Sequence, residues 1–183
     1  MCWYKTKAGI LSVFISGMIL LSGCRPDIKE TGATLTYFDL KGFFTTETAL
    51  LIRAHKVVLK TVTHNGVTET KKVRIDDWGR EFDLFIGSDI NRPAWKNSYN
   101  ITLSGDFLIY RAKYPELKMH QMLIKKDNGK VRWILIFNRT KNLLYQTDEK
   151  LSYFPDSLYT IEKDQRVRLM GSNTYKIQGM IGK

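Results

Sequence analysis

The stretch KVVLKTVTHNGVTETKKVRI, residues 56–75, decides the fold of this chain. Asn65-Gly66 lies at its centre, and β-branched residues dominate both flanks. An Asn-Gly pair favours a type I′ turn because both central residues of that turn need positive φ, and this turn matches the twist of two paired strands. The stretch therefore predicts a β-hairpin with strands at about 56–64 and 67–75.

On the C-terminal side of the hairpin, the chain from Tyr99 onward alternates short apolar segments with turn residues. Such segments predict strands, and connections this short join antiparallel neighbours into a meander. Within the segment 130–139, Trp133 lies on one face and Ile134 and Ile136 on the other, so we expect apolar cover on both sides of the sheet. The seven predicted strands cover about 98–104, 107–113, 118–126, 130–139, 142–153, 157–169 and 173–181.

Two segments show the apolar spacing of a helix. The first is predicted at about 39–54, with Asp39 as its N-cap. The second is predicted at about 77–90, where the residues sharing one face are Trp78, Phe82, Phe85, Ile86 and Ile90. The expected fold class is α+β: a curved antiparallel β-sheet, a half-barrel-like meander, with the N-terminal helix and the inserted helix packed on it.

The N-terminal segment has the composition of an export signal. Lys5 and Lys7 precede an apolar run at 8–21, and this run is shorter than the ~20 residues that a membrane-spanning helix needs. The run ends in Leu21-Ser22-Gly23-Cys24, which resembles the lipobox of bacterial lipoproteins. The resemblance implies a signal peptide over 1–23, a lipidated Cys24 that begins a tether over 24–36, and a single domain over 37–183.

The lipobox resemblance implies a membrane-anchored protein of the cell envelope. Two or three acyl chains on Cys24, palmitate among them, exceed the marginal membrane affinity of one chain. By the same resemblance, Arg25 after the cysteine favours the outer membrane over the inner membrane. The strand and helix pattern also resembles that of half-barrel lipoprotein carriers. The chain further resembles uncharacterised small envelope lipoproteins, and this second resemblance implies no particular activity. An ordinary thiol at the end of an apolar helix is the alternative interpretation of Cys24.

The sequence contains few residues arranged for chemistry. The two cysteines are Cys2 and Cys24, so the predicted domain has no disulfide and no cysteine ligand for a metal. Its histidines lack the spacing of a metal site, and no serine has the context of a catalytic nucleophile. The acidic pairs Asp76-Asp77 and Asp148-Glu149 are interpreted as a helix cap and as part of a solvated face. We therefore expect no metal, no cofactor and no enzymatic activity, and a hydrolase is the least favoured alternative.

The chain is basic, with a formal net charge of +11, and the excess is concentrated between residues 108 and 141. That segment holds nine Lys and Arg residues against two acids. A basic sheet with aromatic residues could bind nucleic acid, but export to the envelope makes the anionic headgroups of phospholipid or lipopolysaccharide the expected counter-charge. An ordinary solvated face is the alternative interpretation of these cations. The predicted basic face comprises Arg111, Lys113, Lys125, Lys126, Lys130 and Arg132.

Two hypotheses of function follow from these features. The favoured one is a lipoprotein that binds a lipid, a lipidated protein or another envelope component on the concave face of its sheet. Its candidate binding residues are Phe43, Phe44, Phe82, Phe85 and Trp133, for which plain core packing is the alternative. The second hypothesis is a structural or interaction module whose basic face docks on an acidic partner.

Overall fold

The computed structural model describes residues 35–182. The predicted signal peptide and the lipidation of Cys24 lie outside the described residues. Within residues 35–182, no helix is both long enough and apolar enough to cross a membrane. The described fold is mostly one open, nine-stranded antiparallel sheet with a few helices, as the α+β prediction required.

The N-terminal helix, α1, covers Leu40–Ala54, close to its predicted bounds. The Asp39 side chain caps it as predicted, and accepts a hydrogen bond of 2.7 Å from the Gly42 N–H. Glycine suits this position because a Cβ on Gly42 would lie 2.1 Å from the Asp39 carboxylate. The helix ends at His55, whose left-handed backbone at φ 46° closes the last turn.

The prediction of one continuous helix at 77–90 was wrong. The segment forms two short helices, α2 at Trp78–Glu81 and α3 at Asp83–Ile86, and the chain turns at Phe82. Trp78, Phe82 and Phe85 are still fully buried, because the turn directs all three rings into the same core. Tertiary packing of the aromatic rings thus outweighs the local preference for a regular helix. A short 3₁₀ helix at Pro93–Trp95 follows.

The strands agree with the sequence prediction in number and nearly in position. Asn65 and Gly66 have φ values of 48° and 87°, and Asn128 and Gly129 have 49° and 76°, as two-residue type I′ turns require. The strands are β1 (Val57–His64), β2 (Val67–Arg74), β3 (Tyr99–Ser104), β4 (Phe107–Ala112), β5 (Met119–Asp127), β6 (Lys130–Lys141), β7 (Tyr145–Phe154), β8 (Leu158–Val167) and β9 (Gly171–Ile181).

The sheet order is β2-β1-β9-β8-β7-β6-β5-β4-β3. The predicted meander therefore runs from β3 to β9, and the predicted hairpin extends it by pairing β1 with β9. This last contact is remote in sequence, since Val58 pairs with Ile181. Because β2 and β3 are opposite edges, the segment containing α2 and α3 crosses from one edge of the sheet to the other.

The hydrophobic core lies between the helices and one face of the sheet, here called the inner face. Its strand residues form cross-strand rows, and within one row Met122 pairs with Ile136 and Ile136 with Leu151. In a neighbouring row, Tyr159 pairs with Gly179, and a Cβ on that glycine would lie 2.1 Å from the tyrosine ring. The glycine therefore makes room for a fully buried aromatic ring.

The segment before α1 is fixed to the domain by hydrogen bonds. The Asn91 side chain accepts from the Tyr37 N–H and donates to the Phe38 carbonyl, at 3.0 and 2.9 Å. The Phe38 N–H donates to the hydroxyl of Tyr110. Asp89 accepts from the N–H of Lys41 at the start of α1. The chain is thus held in place from Tyr37 onward, the residue at which the sequence analysis begins the domain.

Candidate functional site

The structure places three of the five candidate aromatic residues in the core. Phe44, Phe82 and Phe85 have no exposed surface and contact one another, with ring centroids 4.9 to 5.7 Å apart. Phe43 is half-buried and packs edge-on against Phe44. These rings fill the space between helices and sheet, which is the core-packing alternative that the sequence left open. Phe44, Phe82 and Phe85 therefore offer no open surface to a ligand.

Trp133 does not lie with the other four, and its predicted place on the helix-covered face was wrong. Its neighbours Ile134 and Ile136 are fully buried on the inner face, so Trp133 lies on the opposite face, here called the outer face. There its ring packs against Phe107 at a centroid distance of 5.8 Å. The alternation of side chains along β6 correctly assigned Trp133 and its neighbours to two different faces. It did not show which of these faces the helices cover.

A row of apolar side chains crosses the outer face and contains one lysine, Lys125. This row was not predicted from the sequence. The register runs from Phe107 through Lys125 to Trp133. It places Trp133 next to Phe154, one residue beyond the pair formed by Ile134 and Tyr153. Phe154 pairs with Leu158, Leu158 with Met180, and Met180 with Leu59. The apolar members, here called the outer strip, are Phe107, Trp133, Phe154, Leu158, Met180 and Leu59.

The outer strip is partly exposed, in contrast to the core. Met180, Phe154 and Leu59 have 52%, 39% and 37% of their surface exposed, although each is a large apolar side chain. None of the described helices packs on this face, because α1, α2 and α3 bury their apolar residues on the other one. A contiguous apolar strip on one face of an open sheet is typical of an interaction surface.

The six cations predicted to form one basic face do not share a face. The Lys125 ammonium lies 5.6 Å from the ring centroid of Phe107 on the outer face, whereas that of Lys126 lies 5.4 Å from the ring of Phe38 on the inner side. Adjacent strand residues alternate between faces, so the two lysines diverge. Arg111 is exposed in the same cross-strand row as Phe137 on the outer face.

Two of the other predicted cations form contacts with neighbouring residues. Arg132 forms an ion pair of 2.7 Å with Asp127. Lys113 donates to the Asn97 carbonyl at 2.8 Å, and Lys130 is exposed at the β5–β6 turn. Lys150, which the prediction omitted, lies on the outer face opposite Phe137. The cations best placed beside the outer strip are therefore Arg111, Lys125 and Lys150.

Two carboxylates of the helices hold tyrosines of the inner face. The Tyr153 hydroxyl donates to Glu47 at 2.5 Å, and the Tyr159 hydroxyl donates to Glu81 at 2.7 Å. Burial raises the pKa of Glu47, and the hydrogen bond from Tyr153 offsets part of that rise. Burial, followed by the bonded carboxylate, raises the pKa of each tyrosine far above 10. These pairs join α1 and α2 to the sheet.

A buried polar cluster lies near the end of β6. The Asn138 amide donates to the Ser88 hydroxyl at 2.8 Å and to the Glu149 carboxylate at 3.2 Å. Ser88 in turn donates to the Leu84 carbonyl. The ammonium groups of Lys118 and Lys163 lie 3.8 and 3.7 Å from Glu149. The predicted solvated position was therefore wrong for Glu149, which is 8% exposed because its strand turns it toward the inner face.

Asp148 remains on the outer face, as predicted. Burial alone would raise its pKa, but the hydrogen bonds from Arg139 and Gln146 and the charges of Arg139 and Arg166 outweigh burial and lower the pKa. Asp148 also lines an outer-face cleft of about 330 Å³ together with His120 and Glu162. No group of three or more metal-ligating side chains occurs among the described residues.

The remaining predicted polar residues have structural contacts. Asp77 caps α2 as predicted by accepting from the Arg80 N–H at 2.9 Å. His64 stacks on Tyr175 with ring centroids 4.2 Å apart. Two further clefts of about 400 and 390 Å³ lie beside Glu81 and beside Trp95. Neither of them is lined by the candidate aromatic residues.

No family model, no curated protein and no solved structure matches this chain.

Proposed function

We propose that this chain is a non-enzymatic lipoprotein of the bacterial envelope, anchored by acylated Cys24, whose outer sheet face binds another envelope protein. The observation that carries the proposal is the outer strip. Six apolar side chains lie in one row across seven strands, with Lys125 between the first two, and three of the six expose more than a third of their surface. A domain of this size gains stability by burying such residues, so leaving them exposed favours a role in binding.

The chemistry of the strip indicates the kind of partner. Lys125 lies within the strip, and Arg111 and Lys150 lie two cross-strand rows away on the same face. An apolar surface with an acidic rim would bury the aromatic rings and pair with these cations. Trp133 and Phe107 are the natural anchors, because large aromatic side chains supply most of the binding free energy in protein interfaces.

The helix-covered face offers little room for a lipid inside the curved sheet, which was the binding mode favoured by the sequence. Phe44, Phe82 and Phe85 lie in that space with no exposed surface. The lipid anchor and the envelope partner are those expected from the sequence. The proposed binding surface, however, is the outer face and not the inner face.

Site-specific photo-crosslinking in cells that produce the chain naturally tests the proposal. A photoreactive phenylalanine analogue replaces Trp133 in one variant and Phe154 in another. The expected result is a covalent adduct of one common mass from both positions. Lys125→Glu should reduce the adduct several-fold, because it reverses the charge within the strip.

Leu50 on α1 is the matched control, since it is 53% exposed but lies far from the outer face in the fold. The analogue at Leu50 should give no such adduct. Equal adducts from Leu50 and Trp133, or none from either outer position, would contradict the proposal.

Anchoring is tested separately. Wild-type cells should incorporate radiolabelled palmitate into the protein, and Cys24→Ala should abolish both this label and its recovery with membranes. A chain that remains in the membrane fraction and carries the label after this substitution would show that Cys24 is not the lipidated residue.

A further inference from the structure

Large apolar side chains project from three hairpin tips at one end of the sheet. Leu143 and Leu144 form the β6–β7 tip, with 86% and 70% of their surface exposed. Leu169 and Met170 form the β8–β9 tip, with 95% and 84% exposed. Val67 follows the β1–β2 turn and is 76% exposed. Because β1, β6 and β8 run parallel to one another in the antiparallel sheet, their C-terminal ends meet at the same end.

Hydrogen bonds fix these tips relative to one another. The Arg168 N–H donates to the Leu144 carbonyl at 3.0 Å, which joins the two leucine-bearing tips directly. The Asn142 side chain accepts from the N–H groups of Leu144 and Tyr145, both at 2.9 Å. At the third tip, the Asn65 side chain accepts from the Thr174 N–H of β9. The exposed side chains are therefore held outward on ordered turns.

The charges around the two leucine-bearing tips are mostly positive, and the nearest acids along β7 and β8 are Asp148 and Asp164. Residues 139–147 contain Arg139 and Lys141 and no acid, and residues 165–175 contain Arg166 and Arg168 and no acid. All four cations are exposed. The next acid along β7 is Asp148, which Arg139 already binds. The surface thus presents apolar side chains in a region of net positive charge, in which Arg139 is paired with Asp148.

We propose that this end of the sheet binds an anionic phospholipid bilayer, with the β6–β7 and β8–β9 tips inserted among the acyl chains. Protruding leucine and methionine side chains suit the interfacial region of a bilayer, and surrounding Lys and Arg residues suit its anionic headgroups. A protein groove would have to accept two neighbouring tips and supply acids around both. The inference goes beyond the proposed function, because it concerns a surface other than the outer strip and does not require an acylated Cys24.

The tether allows such an arrangement in an anchored chain. Residues 24–36 number thirteen, and a fully extended chain spans at most ~3.5 Å per residue, so Cys24 could reach no farther than ~45 Å from Tyr37. A domain on so short a tether stays close to the bilayer surface, and the apolar tips would decide which end faces it.

Vesicle binding by residues 25–183 tests the proposal without the lipid anchor. All described helices and strands and the whole hydrophobic core lie within the compact unit Leu35–Lys183, so this fragment contains everything that the fold needs. The vesicles contain phosphatidylcholine alone, or phosphatidylcholine and phosphatidylglycerol in equal amounts. We expect flotation with the anionic vesicles only, weakened by salt.

A quadruple variant, L143S/L144S/L169S/M170S, should lower the partition coefficient for anionic vesicles about tenfold or more. The matched control, L50S/L103S, removes exposed leucines elsewhere and should bind like the wild type. Thermal unfolding of each variant checks that the fold is intact. Vesicle binding that the quadruple variant retains in full would overturn the proposal.

Insertion is measured at single positions. The fragment contains no cysteine, so Leu169→Cys supplies one thiol for a polarity-sensitive fluorophore, and Leu50→Cys supplies the control. Anionic vesicles should raise the fluorescence at position 169 several-fold and leave position 50 unchanged. Vesicle binding with an unchanged signal at 169 would overturn insertion. A solution dimer that the quadruple variant abolishes, without any vesicle binding, would replace the bilayer by a second copy of the chain.

Discussion

The inner and outer faces of the sheet are both apolar, yet the fold treats them differently. On β6, Ile134 and Ile136 of the inner face are completely buried, whereas Trp133 of the outer face stays partly accessible. The difference arises from the crossing segment, which carries α2 and α3 over one face only. One face thus stabilises the fold, and the other is the proposed binding surface.

The largest effect should come from removing an aromatic ring of the inner face. Phe82 has no exposed surface and contacts the rings of Phe44, Tyr153 and Tyr159. Phe82→Ala should therefore lower the free energy of unfolding by about 3–5 kcal/mol, because the surrounding rings cannot collapse into the cavity. Urea unfolding followed by circular dichroism measures the loss.

Phe154→Ala is the matched change on the outer face. Since Phe154 is 39% exposed, we expect a loss of only about 1 kcal/mol. Equal losses from the two substitutions would show that the outer strip is a second core, and the division between the faces would then fail.

Gly179→Ala should give the next largest effect. Its new Cβ would lie 2.1 Å from the Tyr159 ring, so the ring must move and disturb the hydrogen bond to Glu81. We expect a loss of about 1–3 kcal/mol in the free energy of unfolding. In the double variant with Tyr159→Leu the two losses should not add, because the clash needs the ring. Strict additivity would exclude this contact as the cause.

The sequence predicted local features of both faces but not their roles. The turns at Asn65-Gly66 and Asn128-Gly129 were predictable because positive φ restricts the residue choice at each position. The pairing of Val58 with Ile181 was not predictable, since it joins distant segments and depends on the whole sheet. For the same reason, the alternation of side chains along β6 placed Trp133 and Ile134 on different faces of the sheet. It did not show which of the two residues lies under α1 and the crossing segment.

The site was less predictable than the fold. The outer strip combines residues from β1, β4, β6, β7, β8 and β9, and its continuity exists only once the register is known. The exposed pairs Leu143-Leu144 and Leu169-Met170 were visible in the sequence beside predicted turns. Leu143, Leu144 and Leu169 fell within the predicted strand segments 142–153 and 157–169, and Met170 came directly after the second segment. For this reason they were not recognised as hairpin tips.

A smaller effect, which depends on pH, is expected for Glu47 of α1, whose carboxylate accepts a hydrogen bond from Tyr153 of the inner face. Burial raises its pKa in the folded protein above the ordinary value of 4.5, so the folded state keeps a proton that the unfolded state has lost. The resulting contribution to stability is complete below pH 4.5 and is lost as the pH rises through the folded pKa. Glu47→Gln cannot titrate, so the variant should gain stability relative to wild type as the pH rises from 4 to 8. A constant difference across that range would contradict the raised pKa.

The smallest effect on stability should come from the most exposed member of the outer strip. Met180 is 52% exposed on β9, so Met180→Thr should change the free energy of unfolding by no more than about 0.5 kcal/mol, since threonine also suits a strand. The same substitution should nevertheless weaken photo-crosslinking from the neighbouring outer-strip positions, because it removes apolar surface from the proposed interface. A variant that loses binding while keeping its stability would separate the two faces by function. A variant that loses stability and keeps binding would assign the outer strip to the fold after all.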